Sequence, residues 1–165
     1  MLKNVCIGLC LFYCFNVNGQ LINNMPVKKR FDSLELVKVS PQYNESDYLA
    51  LMKSKAFIHE LLNNDTWPGD HLTQEQNLAT LINDLNQFDA GENFTFHIFD
   101  ASDQIIGCIY ITPTIVNKND IQFSSFYWLV PEYQDPTKAA ALRYSVTQWL
   151  LKMDGVTSVN FPFNE

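Results

Sequence analysis

The most informative stretch of the sequence is Asp120–Met153, DIQFSSFYWLVPEYQDPTKAAALRYSVTQWLLKM. Its first part, Ile121–Val130, is rich in aromatic and β-branched residues and predicts a strand that ends at Pro131. A short polar loop follows, and an amphipathic helix is predicted to begin near Thr137. A strand that leads through a loop into a helix leaves backbone N–H groups at the helix N-terminus, where an anion can bind.

Outward from this stretch, the spacing of apolar residues predicts four further strands and two further helices. The predicted strands are Leu34–Val39, Phe94–Phe99, Gln104–Ile111 and Val156–Phe163. One helix is predicted to follow an N-cap at Asn44. The other is predicted to begin at Thr73, which forms a capping box with Gln76. The element order is therefore β-α-α-β-β-β-α-β, an α/β (α+β) chain.

Three residues in or beside the Gln104–Ile111 strand carry specific expectations. Gly107 predicts a bulge or a close backbone approach, because a glycine inside a strand offers no side chain to pack. Pro113 is expected to end the strand. Cys108 is interpreted as a small buried hydrophobe rather than a catalytic thiol.

Composition favours one globular domain. The chain has 165 residues, of which 47% are hydrophobic and 18% are charged, which is typical of a folded protein. Its formal net charge of −7 disfavours binding to nucleic acid or to anionic lipid.

The N-terminus has the pattern of a signal peptide over residues 1–19. Lys3 precedes a short apolar run, and Val17 and Gly19 suit cleavage before Gln20. The run is too short to span a bilayer, so the prediction is export to the periplasm or the medium, or a cytoplasmic protein if the signal is not used. Residues 20–32 are predicted to be a linker and 33–165 the domain. Cleavage would leave Cys108 as the one cysteine, so no intramolecular disulfide is expected.

A family resemblance rests on several motifs between Leu34 and Phe161. These are Thr66-Trp67-Pro68 with Leu72–Leu78, Phe94-Thr95-Phe96, Ile106–Pro113 and Val146–Leu150. With this element order, they resemble the GNAT superfamily of acyl-CoA N-acyltransferases, and in particular small bacterial members. The resemblance implies a mixed, mostly antiparallel twisted sheet with helices on both faces. It also implies a fold that is short at its C-terminus, where the family commonly adds a helix and two strands.

In the GNAT pattern, Gln/Arg-x-x-Gly-x-Gly/Ala binds the pyrophosphate of coenzyme A at a helix N-terminus. The matching run here is Gln134–Ala139, in which Thr137 replaces the first glycine and Pro136 lacks an N–H. Glu132 and Asp135 add negative charge beside it. The resemblance implies acetyl-CoA as co-substrate. The cofactor-binding residues that it implies are Trp128, Leu129, Val130, Gln134, Thr137, Lys138 and Ala139.

The implied activity is transfer of an acetyl group to a primary amine of a small molecule or protein. Trp67 and Glu60 are the predicted acceptor-binding residues. Asp120 and Glu132 flank the strand that often carries the general base, but the sequence assigns neither, so the catalytic residues stay open. No metal is predicted, because His71 and His97 lack partners at ligand spacing. The alternative is an exported, non-catalytic GNAT-like binding domain. A homodimer through an open sheet edge is a further expectation.

Overall fold

We describe the protein from a computed structural model, which describes Ile22 and residues 25–164. The predicted signal peptide lies outside the described residues. Six strands form one sheet in the spatial order β1-β2-β3-β4-β5-β6. The strands are β1 Lys28–Phe31, β2 Leu34–Lys38, β3 Phe94–Phe99, β4 Ile105–Asn117, β5 Asp120–Leu129 and β6 Val156–Asn160. The helices are α1 Asn44–Lys53, α2 Lys55–Leu62, α3 Gln74–Ala90 and α4 Pro136–Leu150.

The sheet is mixed and carries helices on both faces, as expected. Neighbouring strands from β1 to β5 run antiparallel, and β6 runs parallel to β5. Successive residues of a strand point to opposite faces. The Phe96 ring meets Trp149 of α4 on one face, with ring centroids 6.0 Å apart. On the other face, Cys108 contacts Asp47 of α1.

Two differences from the predicted elements lie near the N-terminal half. The predicted linker 20–32 contains β1, and Ile22 and Met25 within it are buried in the core. Its polar composition hid this strand because only alternate residues of an edge hairpin need to be apolar. The helix predicted after Asn44 is divided in two at Ser54, whose Oγ donates to the Ala50 carbonyl (2.8 Å).

The hairpin between β4 and β5 is longer than predicted. Pro113 lies inside β4 opposite Phe123 and does not end the strand. It is tolerated because β3 begins at Phe94, opposite Ile111, so β4 has a neighbour on one side only from Thr112 onward. The expectation for Gly107 is confirmed, since a Cβ there would lie 2.1 Å from the Trp128 carbonyl oxygen.

Local signals placed two helices correctly. The capping box predicted at the start of α3 is present, with Thr73 and Gln76 bonding each other's backbone amides. α4 begins at Pro136, one residue before the predicted start. No helix in the described part of the chain is long and apolar enough to cross a membrane.

Candidate functional site

A cleft opens where β5 and β6 part. Their parallel pairing ends at Ser124 and Asn160, while β5 continues to Leu129. Between the end of β5, α2, α4 and residues 161–164 lies a cavity of about 220 Å³, which we call the β5–α4 cleft. Its lining is mostly apolar with a few polar groups: Phe57, Leu61, Tyr127, Leu129, Gln134, Ala139, Arg143, Phe163 and Asn164. Clefts of this composition are typical of small-molecule sites.

Side-chain amides form hydrogen bonds with the β5 backbone groups that face the cleft. The Tyr127 amide donates to Asn164 Oδ1, and Asn164 Nδ2 donates to the Tyr127 carbonyl, both at 3.0 Å. Gln134 Nε2 donates to the Leu129 carbonyl (2.8 Å). These carboxamides replace the strand partner that β6 no longer provides. A ligand with amide groups could form the same hydrogen bonds along this edge.

The N-terminus of α4 is capped by its own carboxylate. The backbone amides of Thr137 and Lys138 both donate to Asp135 Oδ1 at 3.0 Å. A carboxylate at this position is favoured by the partial positive charge of a helix N-terminus. An anionic ligand would therefore have to displace Asp135 or bind beside it. The charge of Glu132 is offset by Lys53, whose Nζ lies 2.6 Å from its carboxylate.

A second group of polar residues is buried between α1, α3 and the sheet. Three donors surround the Asp47 carboxylate, and we call these four residues the Asp47 cluster. Asn77 Nδ2 donates to Oδ2 (2.8 Å), and the Cys108 thiol donates to Oδ1 (3.2 Å). His97 Nδ1 lies 3.3 Å from Oδ1. Burial raises the pKa of Asp47, but the bonds from His97, Asn77 and Cys108 bring that pKa below its usual value.

The Asp47 cluster contains the donor set of a metal site. One ligand atom each from Asp47, His97 and Cys108 lies within 4.8 Å of the others. The Ser40 amide, however, donates to His97 Nε2 (3.3 Å), which leaves Nδ1 as the protonated nitrogen. A metal on Nδ1 would move the ring proton to Nε2, against the Ser40 N–H. The geometry therefore fits a hydrogen-bonded cluster better than a coordination site.

Asp84 of α3 lies beside the Asp47 cluster and is 1% exposed. Its Oδ1 has no hydrogen-bond partner among the described residues. Burial raises the pKa of Asp84 to about 6, and the Asp47 charge adds to this effect, while Thr95 and Asn83 lower it in part. The burial of both carboxylates makes a structural role for this region more natural than a catalytic one.

Comparisons with known proteins identify the fold. No family model and no curated protein matches the chain. Solved structures do match. RimL, a ribosomal L7/L12 alpha-N-protein acetyltransferase, gives a TM-score of 0.59 at 19% identity over 78% of this chain and 65% of that chain. The Salmonella typhimurium acetyltransferase that modifies the N-terminal serine of L7/L12 gives 0.60 at 14% identity, over 79% and 69%. MccE, the microcin C7 self-immunity acetyltransferase solved with acetyl-CoA and AMP, gives 0.63 at 14%, over 79% and 71%.

The chain has the GNAT fold. The expected resemblance in fold is thereby confirmed, although identities this low show the fold alone. The chain spans 65% of the length of the RimL chain that it matches. The β5–α4 cleft lies between the strand and the helix that the GNAT cofactor pattern joins.

The structure places three of the seven predicted cofactor-binding residues in the β5–α4 cleft and four outside it. Leu129, Gln134 and Ala139 line the β5–α4 cleft. Thr137 and Lys138 are exposed at the start of α4 and do not line it. The other two point elsewhere: Trp128 is buried beside Cys108 in the register of β4 and β5, and the Val130 amide donates to the Ile106 carbonyl.

None of the predicted acceptor residues and candidate bases lines the β5–α4 cleft. Trp67 is half-buried and precedes a cis peptide bond to Pro68, and Glu60 is exposed on α2. Asp120 accepts a hydrogen bond from Thr157 Oγ1 (2.7 Å) at the far end of β5 from the cleft. Neither Asp120 nor Glu132 lines the β5–α4 cleft.

The sequence interpretation missed two parts of this arrangement. The Asp47 cluster joins residues of α1, α3, β3 and β4 that are far apart in sequence, and the one local signal was His97 inside an apolar strand. Cys108 is buried as predicted, but its thiol is a hydrogen-bond donor rather than an inert hydrophobe. Asn164 was also missed, because it reaches the cleft only through the divergence of β5 and β6.

Proposed function

We propose that the protein is a GNAT-type N-acetyltransferase that transfers an acetyl group from acetyl-CoA to a primary amine. The observation that carries this proposal is the β5–α4 cleft. It opens where two parallel strands part, and β5 backbone groups at Tyr127 and Leu129 are bonded there by side-chain amides instead of by a neighbouring strand. MccE, with the same fold, was solved with acetyl-CoA, and RimL was solved with coenzyme A.

The residues of the cleft suit a thioester ligand with an amide-containing arm. The arm would exchange its amides for those of Asn164 and Gln134 along β5, so the hydrogen bonds lost are replaced. Apolar side chains of α2 and β5 would exclude water from the thioester. An acceptor amine held near the thioester carbonyl would attack it directly, with the thiol of coenzyme A as leaving group.

A second candidate, an exported GNAT-like binding domain without catalysis, is favoured by one observation. Asp135 already accepts hydrogen bonds from the Thr137 and Lys138 amides, which a pyrophosphate would otherwise use. At a surface-like dielectric, a carboxylate a few ångströms from a phosphate costs on the order of a few kcal/mol.

The test is release of free coenzyme A from acetyl-CoA by the full chain. The acceptors are a panel of polyamines, amino sugars and peptides with free N-termini. Amine-dependent release that Ala139→Glu abolishes supports the enzyme, because Ala139 lines the cleft and the new carboxylate would repel a phosphate bound there. Release from no acceptor, together with measurable acetyl-CoA binding, favours the binding domain.

We propose export and a homodimer as secondary features. Export rests on the Lys3 to Gly19 pattern, and fractionation of cells that produce the tagged full chain tests it. The dimer rests on β6, which has β5 as its one neighbour in the described sheet. Light scattering after gel filtration measures the mass, and a monomer at all concentrations would reject it.

A further inference from the structure

Two cavities adjoin at Arg143. One is the β5–α4 cleft. The other, of about 550 Å³, lies between α4 and the chain that follows β6. Both are lined by Arg143 and Asn164, so a ligand larger than the cleft could extend from one into the other. The larger of the two volumes is within the range of small-molecule sites.

The charge around these cavities is unlike that of the rest of the chain. The protein has a formal net charge of −7, yet among the described residues no aspartate, glutamate or lysine lines either cavity. Arg143 is the one charged lining residue. A positive charge held where carboxylates are absent favours a ligand that carries a negative group.

The guanidinium of Arg143 is held in place but not neutralised. Its Nη1 donates to the Tyr127 hydroxyl (3.3 Å), and that hydroxyl donates to the Ala139 carbonyl (3.3 Å). Among the described residues, no carboxylate oxygen lies within 4.0 Å of it. The remaining N–H groups present the planar fork that binds phosphate or carboxylate oxygens in pairs.

The other anion-binding feature nearby is already occupied. The Thr137 and Lys138 amides at the start of α4 donate to Asp135. We propose that Arg143 binds the anionic group of the ligand and thereby replaces the helix N-terminus as the main anion contact. This proposal rests on the proposed function, under which that group is a phosphate of coenzyme A.

The test is calorimetric titration of the full chain and its Arg143→Met variant with coenzyme A and with uncharged pantetheine. Loss of a charge-assisted bond weakens coenzyme A binding about 10- to 100-fold, while pantetheine binding stays within about twofold. Arg143→Lys keeps the charge but not the planar fork, so its affinity for coenzyme A should lie between those of the wild-type chain and Arg143→Met. The matched control is Lys152→Met, which removes an exposed cation just past α4 that lines neither cavity.

Several outcomes would overturn the proposal. Equal loss of coenzyme A and pantetheine binding would mean that Arg143 acts through packing. If Arg143→Met weakened the binding of succinyl-CoA but not that of acetyl-CoA, the contact would be with an acyl carboxylate instead of a phosphate. Unchanged coenzyme A binding in Arg143→Met would reject the contact and leave the proposed function intact.

A wild-type chain that does not bind coenzyme A would reject the proposed function, and inorganic pyrophosphate is then the probe. Pyrophosphate binding that Arg143→Met loses and Lys152→Met keeps would still support Arg143 as an anion contact. Absence of pyrophosphate binding would overturn the inference as well.

Discussion

The β5–α4 cleft and the Asp47 cluster satisfy their polar groups in opposite ways. In the cleft, side chains form hydrogen bonds with backbone groups of β5 and α4. Gln134 and Asp135 bond groups within a few residues of themselves, whereas Asn164 bonds β5 from the cleft wall. In the cluster, buried residues from four elements bond one another. Hydrogen bonds at a cleft can be replaced by hydrogen bonds to a ligand, whereas those inside the buried cluster can only be lost. The cleft therefore suits binding, and the cluster suits stability.

The largest effect is expected from Asp47→Ala. It removes the acceptor of three buried donors and should lower the free energy of unfolding by about 3 to 5 kcal/mol. Urea denaturation measures this, with the exposed Glu45→Ala on the same helix as control. Because the native pKa of Asp47 is depressed, its contribution is present above pH 3.8 and is lost as the pH falls through the native pKa.

A loss below about 1 kcal/mol for Asp47→Ala would contradict the structural role of the cluster. If the variant does not fold, Asp47→Asn, which keeps an acceptor oxygen, should fold with a smaller loss.

The next largest effect is a gain in stability. Asp84→Asn should raise stability at pH 7 by about 3 kcal/mol, because a pKa raised from 3.8 to about 6 penalises the ionised native state. The penalty grows as the pH rises from about 4 through 6 and is absent below that window. Urea denaturation at pH 7.5 and at pH 4 should therefore show the gain at pH 7.5 alone. The exposed Asp154→Asn is the control, and an equal gain at both pH values would refute the assignment.

The fold was predictable from the sequence where the signals were local. The capping box at Thr73 and the close approach at Gly107 follow from short-range chemistry, and both are present. β1 was missed because a four-residue edge strand leaves little periodicity to detect. The Asp47 cluster could not be predicted, since its members meet only when α1 packs on β3 and β4.

A smaller effect is expected in the cleft from Asp135→Gly. It frees the Thr137 and Lys138 amides and removes a negative charge, while glycine at an N-cap costs only a few tenths of a kcal/mol. The dissociation constant of acetyl-CoA should fall about 10-fold, or about 1.4 kcal/mol. Calorimetry measures it, and Asp154→Asn controls for net charge. Unchanged affinity would mean that the N-terminus of α4 does not meet the ligand.

The smallest effect is expected from metal removal. The Ser40 bond to His97 Nε2 fits a hydrogen-bonded cluster, so chelation should leave the melting temperature unchanged. Elemental analysis of the purified chain should find zinc well below one ion per chain. One zinc per chain that His97→Ala removes would replace the hydrogen-bonded account with a metal site.

The most direct test of the central claim is calorimetric titration of the full wild-type chain with acetyl-CoA. If the β5–α4 cleft is the cofactor site, the titration should show one site per chain, and Ala139→Glu, which places a carboxylate in the cleft lining, should abolish it. No heat of binding at millimolar acetyl-CoA, or binding that Ala139→Glu leaves unchanged, would contradict the assignment of the cleft.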